Sequence, residues 1–438
     1  MERNQRKFHY AWIILIALSV IVGIGKGALN NTAGLFLNPV AQDLEVGMGT
    51  LTLYFSVSAI VTMVFLPIGG KLMAKYDTRY IIIAGILLQA GAFALFGLMQ
   101  HVFGWYVLAV PLAMGGVFIT VIVGPVVINQ WFRKSSGLAL GILSAAGGLF
   151  GAIAQPVAAK LISGRWKIPF ISADVADWRV AYISIGVVAM VIIIPIALFL
   201  IKRSPQAHGV QPYGADEVPE GAGNVQTALV DEGISVKVAK KSTALYMLIL
   251  FFFLITSIAS FSQHIPTHLN KLGFSIEEAG TVMSFYMVGI LIGSLLLGIL
   301  VDKLGSKITA IATMVIGILA IGTIIATKEN LMIITIAVAV FGLISSSIGI
   351  IAPALTSTIF GKKAYSQIYA TASMGLAISS IIALPAYGFI FDATKSYIPV
   401  LYILIAMLVL SIISVFVAFK DKNKLVEAGH WNSEVEEA

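Results

Sequence analysis

The first apolar run of this 438-residue sequence carries a lysine at its middle, in Gly23-Ile-Gly25-Lys26-Gly27. Placing an ammonium at the centre of a membrane helix costs roughly 2.5–3.5 kcal/mol, so such a residue asks for a function. The chemistry it offers is electrostatic binding of an anion, and the three glycines leave space for a carboxylate to approach. The competing reading is a side chain that reaches an interface or an aqueous vestibule and binds nothing. Asn30 follows one helical turn later on the same face, with Asn31 beside it. Further polar residues interrupt other apolar runs: Tyr54, Asn129, Gln130, Gln155, Gln263, His264, His268 and Tyr286. Each can contact a solute or make an interhelical hydrogen bond worth on the order of 1 kcal/mol. The candidate substrate-binding set is therefore Lys26, Asn30, Asn31, Tyr54, Asn129, Gln155, His264, His268 and Tyr286. His264 and His268, four apart around Pro266, also have the spacing of helical metal ligands. No third ligand presents itself, so a proton-sensitive gate is the better alternative and no metal is expected.

The acids argue by their placement. All 21 lie in tails, loops or at the ends of apolar runs. A buried Asp or Glu is what proton symport or binding of a cationic drug would use. A lone positive centre favours an anionic ligand, and a coupled proton would travel on the substrate, a histidine or Lys26. There is no cysteine, so thiol nucleophiles, thiolate metal sites and disulfides are excluded. Neither a nucleophile–base pair nor a phosphate-binding loop stands out, so neither an enzyme nor a cofactor is expected.

The elements that must position these residues are membrane helices. Hydrophobic residues make up 58% of the chain and charged ones 11%, against about 25% charged in soluble domains. Apolar runs of roughly twenty residues or more recur throughout, each long enough to cross the hydrocarbon as a helix. The short alternating strands of a membrane barrel are absent. Twelve spans are expected, beginning near 11, 49, 80, 103, 136, 178, 244, 278, 307, 331, 366 and 397. Basic residues cluster on the side of the termini, so the positive-inside rule makes both termini cytoplasmic in a multi-pass inner-membrane protein. The net charge of +7 then belongs to membrane-flanking loops and not to a nucleic-acid partner. The first run lacks a small-residue cleavage pattern and reads as a retained helix. Arg165 and Lys167, between Ser163 and Asp177, are the local exception on the opposite side. The segment 204–241, rich in Pro, Gly and acids, reads as a flexible linker, and the tail with Glu434, Glu436 and Glu437 as solvated.

The two halves repeat. A shift of 228 residues lays Gly70 on Gly298, Lys75 on Lys303, Pro125 on Pro353, Phe132 on Phe360 and Gly147 on Gly375. The expected organisation is a six-helix bundle over 1–202, a linker over 203–241, a second bundle over 242–420 and a tail over 421–438. Two such bundles imply a cavity between them and alternating access by rocking. The bilayer is then the chief partner, and a monomer is expected.

The repeated loop Gly298-Ile-Leu-Val-Asp302-Lys303-Leu-Gly305-Ser-Lys307 resembles the G-x-x-x-D-R/K-x-G-R/K-R/K loop of the major facilitator superfamily. Its physical reading is a tight turn in which Gly packs two helices closely and Asp pairs with a neighbouring helix as a latch. The first copy, Gly70-Lys-Leu-Met-Ala74-Lys75-Tyr-Asp77-Thr-Arg79, has Ala74 in place of the acid and Asp77 in place of the second Gly. Within that superfamily, several stretches are similar to monocarboxylate transporters and the oxalate:formate antiporters. They are Gly34-Leu-Phe36-Leu-Asn-Pro39-Val-Ala-Gln-Asp43-Leu44, Trp131-Phe132 with Gly137-Leu-Ala-Leu-Gly141, Asp177-Trp178-Arg179, and Arg203-Ser-Pro205 with Gly209-Val-Gln-Pro212-Tyr-Gly214. The resemblance implies transport of small carboxylates. The basic residues that such proteins place in spans eight and eleven are missing between Gly280 and Val301 and between Gln367 and Phe391, so a dicarboxylate clamp is not carried over. Asn31 stands where the animal monocarboxylate transporters carry a Lys. A facilitator or proton-linked exporter of drugs or neutral solutes is the alternative.

Overall fold

The computed structural model describes residues 9–164, 176–202, 205–206, 209–215, 233–327 and 329–431. The basic N-terminal residues Arg3, Arg6 and Lys7, the loop carrying Arg165 and Lys167, and the acids of the tail lie outside the described residues. Among the described residues, twelve helices are long and apolar enough to cross a membrane: Tyr10–Asp43, Met48–Lys75, Thr78–Phe96, Val102–Trp131, Ser136–Ile162 and Asp177–Leu200, then Thr243–Lys271, Ile276–Leu304, Ser306–Ala326, Leu331–Phe360, Tyr365–Thr394 and Ile398–Glu427. They are called spans one to twelve below. Each begins within two residues of its expected start, because hydrocarbon thickness sets helix length. Large apolar side chains such as Leu66, Val191, Phe199 and Leu319 stand exposed along them, as a hydrocarbon solvent requires.

Helix ends are set by local chemistry. Asp77 N-caps span three, accepting from Arg79 N at 2.9 Å. Ser275 and Glu278 form a reciprocal capping box at the start of span eight. Gly305, with φ +81°, joins spans eight and nine, a conformation that favours glycine. At the 228-residue equivalent, Asp77 caps instead with φ −66°, so the first copy of the loop replaces a glycine turn with a side-chain cap.

By contacts the described chain divides into two compact units, one of residues 1–36 and 60–225, the other of 37–59 and 226–438. In the first unit span three packs on spans four and six, and span five on the middle of span one. In the second, span nine packs on spans ten and twelve, and span eleven on span seven. The same pairings recur at the same ordinal positions, which is the repeat expressed as packing.

Four spans at matching positions are interrupted near mid-length. Span one widens into a π-helix over Gly23–Asn30, and span four does so over Val117–Ile122. Span seven tightens into a 3-10 turn at Phe261–His264, and span ten breaks at Ser346. Span eleven is also broken, at Ser373. Interrupted membrane helices are a recurrent feature of transporter binding sites.

The segment expected to be a flexible linker is hydrogen-bonded to the bundles at both of its described ends. Tyr213 N donates to Trp131 O at 2.8 Å, and Tyr213 O accepts from Arg133 N and Lys134 N at 3.0 and 3.1 Å. Its ring meets those of His9, Trp12 and Phe132. At the other end Ile234, fully buried, donates its N–H to Phe360 O at 2.9 Å. Phe132 and Phe360 are 228-residue equivalents, so each unit holds one end of the linker on the same loop.

Candidate functional site

The π-helical register of span one brings Asn31 N to Lys26 O at 3.0 Å, five residues back. The three glycines do not clear space for a ligand, as the sequence suggested. A Cβ on Gly27 would fall 2.5 Å from Gly151 N and 2.9 Å from Gly147 O, both backbone atoms of span five. A Cβ on Gly23 would meet the Phe150 ring, and one on Gly25 would strike Ile119 in the π-helical part of span four. All three glycines serve close helix packing. The room around Lys26 comes from a cavity of about 100 Å³ between spans one, four and five, lined by Lys26, Thr120, Gly124, Pro125, Leu143 and Ser144. Gly147 gives the lysine stem its bed, since a Cβ there would lie 3.0 Å from Lys26 Cδ.

Lys26 lines this cavity at its mid-span position, and among the described residues it makes no ion pair or hydrogen bond. Asn30 is exposed one turn on. Two buried glutamines brace the segment that carries them. Gln89 of span three, fully buried, donates to Gly25 O at 3.0 Å and to Asn30 Oδ1 at 3.1 Å. Gln155 of span five donates to Asn31 O at 2.7 Å. The structure thus places Lys26, Thr120 and Ser144 on the cavity, and Asn30, Asn31, Gln89 and Gln155 on the widened turn that carries Lys26, without lining the cavity themselves. A polar residue inside an apolar run was the signal for Gln89, and the same signal had marked Gln155.

The remaining candidates lie elsewhere. Asn129 is exposed in the last turn of span four and does not line the cavity. Tyr54, Tyr286, His264 and His268 belong to the second unit. Tyr54 is buried with its ring 4.0 Å from that of Phe55, and Tyr286 is buried with its ring 6.0 Å from that of Phe341. His264 is fully buried with both ring nitrogens engaged, Nδ1 with Tyr397 OH at 2.8 Å and Nε2 with Leu384 O at 2.9 Å. A carbonyl only accepts, so Nε2 carries the proton and Nδ1 accepts from the tyrosine. This leaves no ring nitrogen of His264 for a metal or a solute. His268 is 4% exposed, and its Nε2 has no hydrogen-bond partner among the described residues.

The motif loops behave differently from expectation. A Cβ on Gly70 or Gly298 meets nothing within 4 Å, so neither glycine serves close packing here. Asp77 is used on its own helix, through the cap and a 3.6 Å contact with Arg79 Nε. Asp302 and Lys303 are exposed, and Asp302 has no ion pair or hydrogen bond among the described residues. Lys75 lies over the Tyr76 ring at 5.3 Å. The Asp177-Trp178-Arg179 fragment is structural. Trp178 joins a cluster with Trp105 and Tyr182, and Arg179 donates to Met99 O at 2.7 Å and Gly97 O at 3.3 Å beyond the end of span three.

The comparisons agree with this architecture. A family model described as Major Facilitator Superfamily matches residues 15–277 and 265–430. A curated relative, the uncharacterized MFS-type transporter YcxA of Bacillus subtilis (strain 168), is 24% identical over 96% of this chain and 98% of its own. The glucose-6-phosphate exchanger SLC37A2 of Bos taurus is 25% identical over 57% of this chain and 54% of its own. Among solved structures, a bacterial homolog of the human lysosomal transporter Spinster, inward-facing and occupied, gives a TM-score of 0.75 at 14% identity, covering 98% of this chain and all of the other. The nucleoside transporter NupG gives 0.69 at 12% identity, covering 94% of this chain and all of the other. Those likenesses show the fold. With a family model spanning both halves, twelve membrane helices and a duplicated pairing pattern, the chain belongs to the Major Facilitator Superfamily and is a multi-pass secondary transporter.

Proposed function

We propose that this transporter carries a small organic anion, a monocarboxylate, by alternating access, with Lys26 as the anchor for the carboxylate. The observation that carries the reading is a lysine at mid-span, lining a cavity, that no carboxylate of the described residues neutralises. An unpaired charge at that depth is expensive unless a ligand or water answers it. The cavity beside it, about 100 Å³, has room for about three waters or a carboxylate with a short tail. Ser144 on its wall adds a hydroxyl, whereas the Thr120 hydroxyl donates to Gly116 O at 2.8 Å. On this reading both termini face the cytoplasm, the protein works as a monomer, and any coupled proton rides on the substrate, a histidine or Lys26 itself. The sugar-phosphate exchanger among the relatives also handles an anion, whereas the nucleoside transporter among the structural neighbours does not.

The test is uptake into proteoliposomes of labelled acetate, lactate, glucose 6-phosphate and uridine. Saturable uptake of a monocarboxylate, with the other two solutes excluded, is expected. Uptake of uridine or of the sugar phosphate alone would overturn the reading.

A further inference from the structure

We infer that Gln89 is a positioning residue that sets the polarity of the binding face: it turns the Asn30 amide so that, with Lys26, the site presents hydrogen-bond donors toward the solute. The inference rests on the reading of Lys26 as an anion anchor. The logic is one of donors and acceptors. Gly25 O can only accept, so the Gln89 side-chain atom 3.0 Å away must be Nε2. The same nitrogen lies 3.1 Å from one side-chain atom of Asn30, which must therefore be the acceptor Oδ1. Asn30 Nδ2 is left as the free end of that amide, on an exposed residue one turn from Lys26. The amide orientation of Asn30 is thus dictated from span three.

Gln89 itself is fully buried and does not line the cavity, and its Oε1 has no hydrogen-bond partner among the described residues. An apolar side chain of similar size would avoid that cost, so packing alone does not explain a glutamine here. Its place is fixed tightly. A Cβ on Gly115 would fall 2.9 Å from Gln89 Cβ, and one on Gly25 3.2 Å from Oε1. Gly115 thus lets span four close on the base of Gln89, and Gly25 lets span one close on its amide.

A double-mutant cycle with lactate as the probe tests the inference, reading Kd on the purified full chain. Gln89→Leu and Asn30→Ala are each expected to weaken lactate binding about tenfold. The double variant is expected to be no weaker than Asn30→Ala alone, because Gln89 acts through Asn30. Additive losses, or an unchanged Kd in Gln89→Leu, would overturn it. Should Gln89→Leu fail to fold, Asn30→Asp replaces it. The aspartate accepts from Gln89 with one oxygen and presents the other outward, so lactate binding must fall further than in Asn30→Ala; an equal or smaller loss refutes the inference. Lys26→Ala run in parallel separates the two levels. Unchanged binding there removes the anchor itself, whereas a loss there combined with an unchanged Gln89→Leu removes only the positioning role.

Discussion

At the residue scale, what distinguishes the Lys26 site is how little of it is made by Lys26. Glycines bring span one against two neighbours, glutamines fix its widened turn, and Gly147 gives the lysine stem a groove. The glycines differ in what they face, and this separates their substitutions. A methyl on Gly27 meets backbone of span five, which cannot yield without parting the helices. A methyl on Gly147 meets the flexible middle of the lysine chain. Gly27→Ala is therefore expected to destabilise the protein by about 1–3 kcal/mol, visible as a lowered Tm of the purified chain. Gly147→Ala is expected to leave Tm nearly unchanged. Equal shifts in the two variants would show that the contacts are not arranged in this way. The sequence made Lys26 legible because a charge inside an apolar run needs no neighbours to be noticed. It misassigned the flanking glycines because the partners of Gly23, Gly25 and Gly27 lie on other helices, far along the chain at Phe150, Ile119 and Gly151.

At the scale of elements, the interrupted spans were illegible from sequence. A change from α to π register alters which carbonyl a given N–H reaches, and composition is blind to that. The linker shows the same limit. Its residue types predicted flexibility, and they did so because backbone pairing such as that of Tyr213 with Trp131 needs no apolar face. The Gly209–Gly214 fragment, noticed only as a family likeness, includes this docking residue. A third element-level device joins the start of span two to the end of span eleven inside the second unit. The Asp392 carboxylate accepts from Met48 N and Gly49 N, both at 2.8 Å, and so satisfies two of the free donors at that helix start. Gly388 and Gly49 make the approach possible, since a Cβ on Gly388 would fall 2.7 Å from Gly49 Cα. Removing a cap typically costs about 0.5–2 kcal/mol. Asp392→Ala is expected to lower thermal stability by that order and Asp392→Asn by less, because the amide keeps one accepting oxygen. An alanine variant as stable as the parent would show that the contact contributes nothing.

At the scale of the whole molecule, the duplication was the most readable feature. Matching positions 228 apart, from Gly70 and Gly298 to Gly147 and Gly375, anticipated the matching helix pairings of the two units. The correspondence is in packing and not in chemistry. At the level of span seven, where the first unit has Lys26 and Asn30 at its interruption, the second has His264 sealed by Tyr397 and Leu384 O. On the proposed reading, the anion anchor lies in the first unit. Lactate binding to the purified full chain, measured by calorimetry for the parent, Lys26→Arg and Lys26→Ala, tests this most directly. The account predicts that arginine retains measurable affinity and that alanine loses at least tenfold, about 1.4 kcal/mol. An alanine variant that binds lactate as tightly as the parent would contradict it.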